Sequence, residues 1–431
     1  MIVWSVLFGT LAATVGGGAA LGGALGLTGF IILYFFNRGT TEMAVMAVYN
    51  LYSSFTLSSF VVFILLGELM MQSGLSRRAF GAVAPAFHRI PGGLLHTNVV
   101  VCAIFGAVSG SSASVAATVG TAAFPELARR GYRTDAIVGS LAGAGTLGIL
   151  IPPSLTLVLY GAWQEVSIGQ LFLAGILPGI MMMLLFMALV LVQCLYDRTI
   201  TPAVDGPAPP LPEILRSALG LWPLVLLVGT VLGTIYLGFA TPTEAAGLGV
   251  LTAVILGVTV GDLTWRGCVI ALWNTIVNFG ALKLVLIGAV ILGQAISILG
   301  LPRHITELAL AYNLGKYELL LFVVLMYFVL GCIFDGLSLM LLTLPFVFPV
   351  FTKLGFDPIW LGIFMTMMIE IGAITPPVGV NLFVLSAVTG QRESLGAIAR
   401  ATVPYWIVLL IGVAIITLVP DIVLLIPRSM R

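Results

Sequence analysis

The chain has 431 residues, 60% of them hydrophobic and 8% charged, with a mean hydropathy of +1.17. Apolar runs recur from end to end with no long polar domain between them, which excludes a soluble globular protein, and the runs lack the apolar–polar alternation of a transmembrane barrel. The net charge of +1 gives no electrostatic footprint for nucleic acid.

A span needs roughly 20 residues, so about 11 or 12 crossings or part-crossings fit the chain. In the first half, apolar runs predict helices over 2–16, 19–36, 50–72, 94–108, 115–128, 135–161 and 166–196. No Lys or Arg precedes Arg38, so the first run is read as a span and not as a cleavable signal peptide. The segment 197–217 carries five prolines and reads as a stiff, hydrated linker between a first half, 1–196, and a second, 218–431. There the runs predict helices over 218–238, 243–261, 267–299, 317–334, 337–352, 357–371, 377–390 and 402–426. Cys102, Cys194, Cys268 and Cys332 are scattered through apolar runs without a CxxC pair and read as small buried residues.

The two halves resemble each other. Phe124-Pro125, Gly131, Gly148 and Pro152-Pro153 recur as Phe348-Pro349, Gly355, Gly372 and Pro376-Pro377, each 224 residues later. Upstream, Gly67, Gly74, Leu75 and Arg77 recur as Gly293, Gly300, Leu301 and Arg303, 226 residues later. Such an ordered set predicts an internal duplication. Arg77, Arg78 and Arg89 form one basic cluster, and Arg129, Arg130 and Arg133 form another. The segment between them enters the membrane and returns, so both clusters fall on one side, cytoplasmic by the positive-inside rule. The matching flanks of the second half carry Arg303, Lys316 and Lys353, diluted by Glu307, Glu318 and Asp357. That weaker bias points to the opposite side, and hence to an inverted repeat of the kind found in secondary transporters.

Each half has two unusual places. One is a small polar tip within an apolar hairpin, "VSGSSAS" at 108–114 and "IFDGLS" at 333–338. The arms beside 108–114 are short for full crossings, which suggests a re-entrant hairpin; irregular backbone at that depth survives only against protein or a watery cavity. The bland alternative is that small residues let helices pack closely. The other place is a double-proline break, "GILIPPS" at 148–154 and "GAITPPVGVN" at 372–381. Proline has no N–H, so Pro152 and Pro153 deprive the carbonyls of Gly148 and Ile149 of helical partners, and Pro376 and Pro377 do so for Gly372 and Ala373. Ile151 and Thr375, each preceding a proline, are pushed out of the helical region. Free carbonyls suit a dehydrated Na⁺. A new half-helix is expected beyond each break, with proline in its first turn and N–H groups able to hold a carboxylate. The bland alternative here is a proline kink without a ligand.

Isolated charges at Glu68, Glu165, Glu244, Lys283, Asp335 and Glu370 fall in or near apolar runs, where charge is costly and often functional. Glu165 and Glu244 read as end caps, and Asp335 at the second tip as a functional candidate. Lys283 fits either an ion pair with Glu370 or an anionic substrate. His88, His96 and His304 show no metal-ligand spacing, and no Walker A, GxSxG or GxGxxG element stands in a suitable context. Nothing therefore supports an enzyme, ATP hydrolysis, an organic cofactor or a transition metal.

"GAVSGSSAS", "RRGY", "GTLGILIPPS", "LPFVFPV" and "TPPVGVNLFV" together resemble the large membrane subunit of TRAP transporters (tripartite ATP-independent periplasmic transporters) over essentially the whole chain. The resemblance implies an all-α, inverted-repeat, elevator-type transporter of the bacterial inner membrane. In it two re-entrant hairpins, about 90–128 and 317–352, work with two broken helices, 135–161 and 357–390. It implies import of an organic acid, such as a C4-dicarboxylate or sialic acid, on a Na⁺ gradient. A periplasmic substrate-binding protein and a small four-helix membrane subunit would be separate chains. Carried onto this sequence, one Na⁺ site joins Ser109 to Ser112 with Gly148, Ile151 and Pro152. A second joins Asp335 and Gly336 with Gly372, Thr375 and Val378. Substrate would lie near Ser111, Ser112, Ser154, Thr375 and Asn381. The second tip departs from the expected small hydroxyl residues at Gly336 and Leu337. A stand-alone Na⁺/carboxylate symporter and a channel-like membrane protein are the alternatives.

Overall fold

The computed structural model describes residues 2–37, 40–53, 56–202, 209–304, 307, 314–377, 379–391 and 393–429. Its described residues form helices and connections with no strand. The first half comprises α1 (Ile2–Gly16), α2 (Leu21–Phe36), α3 (Glu42–Ser53), α4 (Thr56–Gln72), α5 (Leu75–Val83), α6 (Leu94–Ser109), α7 (Ser112–Arg129), α8 (Thr134–Gly145), α9 (Leu147–Leu150), α10 (Leu155–Gln164) and α11 (Ile168–Tyr196). After the linker come α12 (Leu211–Ala218), α13 (Trp222–Tyr236), α14 (Pro242–Thr259), α15 (Trp265–Ile298), α16 (Lys316–Gly331), α17 (Gly336–Lys353), α18 (Pro358–Ala373), α19 (Val380–Val388), α20 (Leu395–Leu418) and α21 (Asp421–Ser429).

Seven stretches among the described residues are long and apolar enough to cross a membrane, so the chain is a multi-pass helical membrane protein. Two of the expected helices are divided. The run 50–72 belongs to α3 and α4, and 402–426 breaks before α21 because Pro420 pushes Val419 out of helical geometry.

Packing sorts the helices into two groups. In one, α15 lies along α2 and α4, and α14 packs on α4 and α13. Glycine makes the first of these contacts possible: a Cβ on Gly288 would lie 2.0 Å from the Gly22 carbonyl oxygen, so the two backbones touch. Many side chains of this group, among them Trp273, Ile276 and Val277 on α15, face outwards. In the other group, α6 and α7 form a hairpin against α8 and α9, α16 and α17 form a second hairpin against α18, and α7 reaches across to α19. Its interior is closed: every residue from Trp360 to Gly372 on α18 is buried.

The matched sequence positions take matched places. Pro125 lies inside α7 and Pro349 inside α17, and the glycines beyond those helices, Gly131 and Gly355, have φ of 85° and 84°. Both double-proline bonds, Pro152-Pro153 and Pro376-Pro377, are cis. The basic clusters do come to one flank, where Arg77, Arg129 and Arg130 line a shared cavity of about 970 Å³. There Glu126 pairs with Arg130 at 2.7 Å and Arg129 at 2.6 Å, and these contacts, that with Arg130 foremost, hold its carboxyl below the usual range.

Candidate functional site

The first tip is two residues long. Gly110 ends α6 in the left-handed region at φ 62°, which glycine enters without steric cost, and Ser111 caps α7 by accepting from the Ser114 N–H. At the second tip Asp335 caps α17, accepting from the Ser338 N–H at 3.1 Å. Asp335 is exposed, and its observed bond is this structural one.

Each hairpin meets its broken helix glycine to glycine. A Cβ on Gly106 would lie 2.9 Å from the Gly148 Cα, and one on Gly331 would lie 2.8 Å from the Gly372 Cα. Gly148 also lies beneath the tip, since its Cβ would stand 2.9 Å from the Ser111 carbonyl oxygen.

At the breaks the structure corrects the sequence reading in three respects. First, the prolines lie outside the half-helices. Ser154 caps α10 and α19 starts at Val380 after Gly379, so Asn381 is the second residue of its helix. Second, several freed carbonyls are recaptured. The Ser154 hydroxyl donates to the Ile149 carbonyl in a short bond and the Thr375 N–H to Gly372 at 3.2 Å; the Ile374 carbonyl, not among those named from sequence, accepts from the Thr402 hydroxyl at 3.0 Å. Thr375 itself donates its hydroxyl to the Ile371 carbonyl at 2.5 Å. The carbonyls of Gly148 and Ala373 receive no hydrogen bond among the described residues. Third, the N-terminus of α10 is largely consumed. The Leu155 N–H donates to the Gly110 carbonyl at 3.3 Å and the Leu157 N–H to the Ser154 hydroxyl. In α19 the Leu382 N–H likewise donates to the Gly379 carbonyl at 2.7 Å, and no side chain caps the Val380 and Asn381 N–H groups before it among the described residues.

The two tips and both breaks line one cavity of about 150 Å³. Ser111, Ser112, Asp335, Gly336 and Asn381 face it, joined by Ile149, Thr156, Glu370 and Ala373. Ile151 and Pro152 instead pack on α11, against Gly179 and Gly175. Ser109 is buried with an unpartnered hydroxyl, its carbonyl pressed against Gly67 of α4. Ser154 and Thr375 are buried and spend their hydroxyls on neighbouring carbonyls. Val378 lies outside the described residues.

The isolated charges resolve only in part as the sequence reads them. Glu370 and Lys283 do not pair. The Lys283 ammonium sits 4.0 Å from the centre of the Tyr52 ring and 5.6 Å from that of Phe279. Glu370, 1% exposed, accepts at 3.1 Å from Ser112, which in turn accepts at 2.7 Å from Asn381. Glu68 is held by two amides, Asn274 and Asn278, each at 3.0 Å; those asparagines carry a sequence signal, an i, i+4 pair on one face of an otherwise apolar helix. Glu244 forms a capping box with Thr241, whereas Glu165 ends α10 in the left-handed region instead of starting a span. Cys102 and Cys194 are buried, Cys268 and Cys332 only half so.

Two helical hairpins meeting two interrupted helices at a polar centre, inside a multi-pass membrane protein, define a transporter of the membrane-permease class. A profile of the family described as "Tripartite ATP-independent periplasmic transporter, DctM component" matches residues 8–422, and the chain belongs to that family. It is 34% identical over 407 residues to the C4-dicarboxylate TRAP transporter large permease protein DctM of Pseudomonas aeruginosa, covering 94% of each chain. It is 30% identical over 376 residues to the sialic acid large permease SiaM of Vibrio cholerae, covering 87% of each. To the ectoine/5-hydroxyectoine large permease UehC of Ruegeria pomeroyi it is 30% identical over 397 residues, covering 90% of this chain and 89% of the relative. The YdaH transporter of Alcanivorax borkumensis shares the fold at a TM-score of 0.61 and 15% identity, with 89% of each chain covered.

Proposed function

We propose that this chain is the permease subunit through which an organic acid, a carboxylate of the C4-dicarboxylate or sialic-acid kind, enters a bacterium across its inner membrane on a Na⁺ gradient. It receives substrate from a periplasmic binding protein and works beside a small four-helix membrane subunit. The observation that carries the reading is the convergence of both tips and both breaks on one cavity. Substrate sits there against Ser112, Asn381 and the start of α19, whose Val380 and Asn381 N–H groups suit a carboxylate. One Na⁺ lies between the Ser109–Ser112 tip and the unpaired Gly148 carbonyl. A second lies between the Asp335 tip and the break around Gly372, where the Ala373 carbonyl is the unpaired one.

The halves form an inverted repeat. Supporting this are the paired glycine contacts at Gly106–Gly148 and Gly331–Gly372 and the matched φ of Gly131 and Gly355. The hairpins are re-entrant. The 16 residues of α6 rise ~24 Å, less than the roughly 30 Å of bilayer hydrocarbon. In an elevator cycle the group carrying both hairpins moves against α2, α4, α14 and α15.

The test is uptake into proteoliposomes holding this chain and its small subunit, with the binding protein and its ligand outside. An inward Na⁺ gradient should drive accumulation, and collapsing it should abolish accumulation. Uptake by this chain alone would favour a stand-alone symporter, and Na⁺-independent uptake would refute ion coupling.

A further inference from the structure

Glu370 lies outside the two proposed carbonyl sites. Its Oε2 accepts the Ser112 hydroxyl. That hydroxyl has one proton, and the Asn381 amide already donates to its oxygen, so the chain of donation runs from Asn381 through Ser112 to Glu370. The direction leaves two acceptors over: Glu370 Oε1 and Asn381 Oδ1 are buried without a partner, and so is the Thr156 hydroxyl. Glu370, Asn381 and Thr156 are all 1% exposed or less, and all three line the cavity of about 150 Å³. Its lining includes no Lys, Arg or His; Asp335, the other acid there, is exposed and bonded to its own helix start.

A carboxylate enclosed by Ile149, Leu155 and Ile369 with no counter-charge is costly. A neutral donor would satisfy one oxygen and leave the charge. A cation satisfies the charge and the idle oxygens together. A single fully buried carboxylate with neutral oxygens suits a monovalent ion better than Ca²⁺ or Mg²⁺, which lean on several carboxylates or retained water. The space exceeds the ~30 Å³ share of one water.

We propose that the Glu370 carboxylate, with the side-chain oxygens of Asn381 and Thr156, binds a monovalent cation as a site separate from the two carbonyl sites at the breaks. Such a cation would also face the substrate, neutralising Glu370 so that an anion can occupy the same cavity. The inference rests on the Na⁺-coupled reading, and the test separates the two.

Na⁺ bound per chain is measured by calorimetric titration of the purified full chain with NaCl, choline replacing Na⁺ at constant ionic strength. Glu370→Gln should bind one Na⁺ fewer than the native chain, with the remaining binding unchanged. Thr156→Val should keep the count and weaken one site roughly tenfold. If Glu370→Gln binds the same number with the same affinities, the proposal is overturned while Na⁺ coupling stands. If the native chain binds no Na⁺, both fall. Should Glu370→Gln not be recovered folded, Thr156→Val decides, and unaltered affinities in it overturn the site.

Discussion

Ser112 and Asn381 are joined by a 2.7 Å hydrogen bond across 269 residues of chain, tying the tip of the first hairpin to the half-helix beyond the second break. Ser112→Ala removes the acceptor for the Asn381 amide and the donor to Glu370, leaving two buried groups short of partners. The expected loss is about 1–3 kcal/mol of stability, visible in thermal unfolding of the purified protein, together with strongly reduced uptake. An unchanged Tm would mean that the bond contributes nothing.

The glycine contacts set a steric limit. An alanine at Gly148 would place its Cβ 2.8 Å from Val115 Cγ2, and one at Gly372 would sit 2.8 Å from the Gly331 Cα. Each should destabilise by about 1–3 kcal/mol and impair transport. Gly9→Ala, with nothing within 4 Å, serves as the control and should leave the Tm within about 0.5 kcal/mol equivalent of native.

Replacing Pro152 and Pro153 together by Ala restores two N–H donors. Because Ser154 already satisfies the Ile149 carbonyl, the change falls on Gly148, whose carbonyl the proposal assigns to Na⁺. The Na⁺ concentration for half-maximal uptake should rise severalfold at unchanged expression. Identical Na⁺ dependence would count against carbonyl ligation there.

Glu68 should separate charge from hydrogen bonding. Glu68→Ala takes the shared acceptor from the half-buried Asn274 amide and the exposed Asn278 amide, and should cost about 1–2 kcal/mol. Glu68→Gln keeps an acceptor for one amide and should cost less. Equal Tm values for the two variants would argue against the observed arrangement.

Arg133 bridges Asp135 at 2.7 Å and Asp197 at 2.6 Å, fastening the start of α8 to the end of α11. The Thr199 hydroxyl and N–H, and then the Arg133 guanidinium, pull the Asp197 carboxyl down to about 2. A carboxyl depressed in the folded state stabilises above its unfolded value, near 3.8, and loses that contribution as pH falls towards 2. Thermal unfolding of Asp197→Asn should therefore show a flatter acid limb over that window. Superimposable acid limbs would remove Asp197 from the account.

The breaks and tips were legible because their cause is local. Proline lacks a donor wherever it stands, and a glycine followed by serine ends one helix and caps the next. The site itself was only half legible. Gly148 could be nominated from the duplication, Ser112 from the polar tip and Asn381 from its place beyond the break, but which halves touch is a matter of packing between helices some 260 residues apart. Sequence therefore leaves Lys283 open between Glu370 and an anionic substrate, and only the fold puts Glu370 beside Ser112. Recapture of carbonyls by Ser154 and Thr402 was hidden for a related reason. A proline shows which acceptor loses its own helix, not which hydroxyl nearby replaces it.

The bond from the Leu155 N–H to the Gly110 carbonyl makes the first hairpin and the half-helix beyond the first break a single mechanical piece. Lifting that tip would strip a donor and an acceptor, besides parting Ser112 from Asn381 and Glu370. Among the described residues no hydrogen bond ties the second tip to α19. In the proposed elevator cycle a door to the cavity would then be hinged on the Asp335 side alone, and the same leaf would have to open to each face of the membrane in turn.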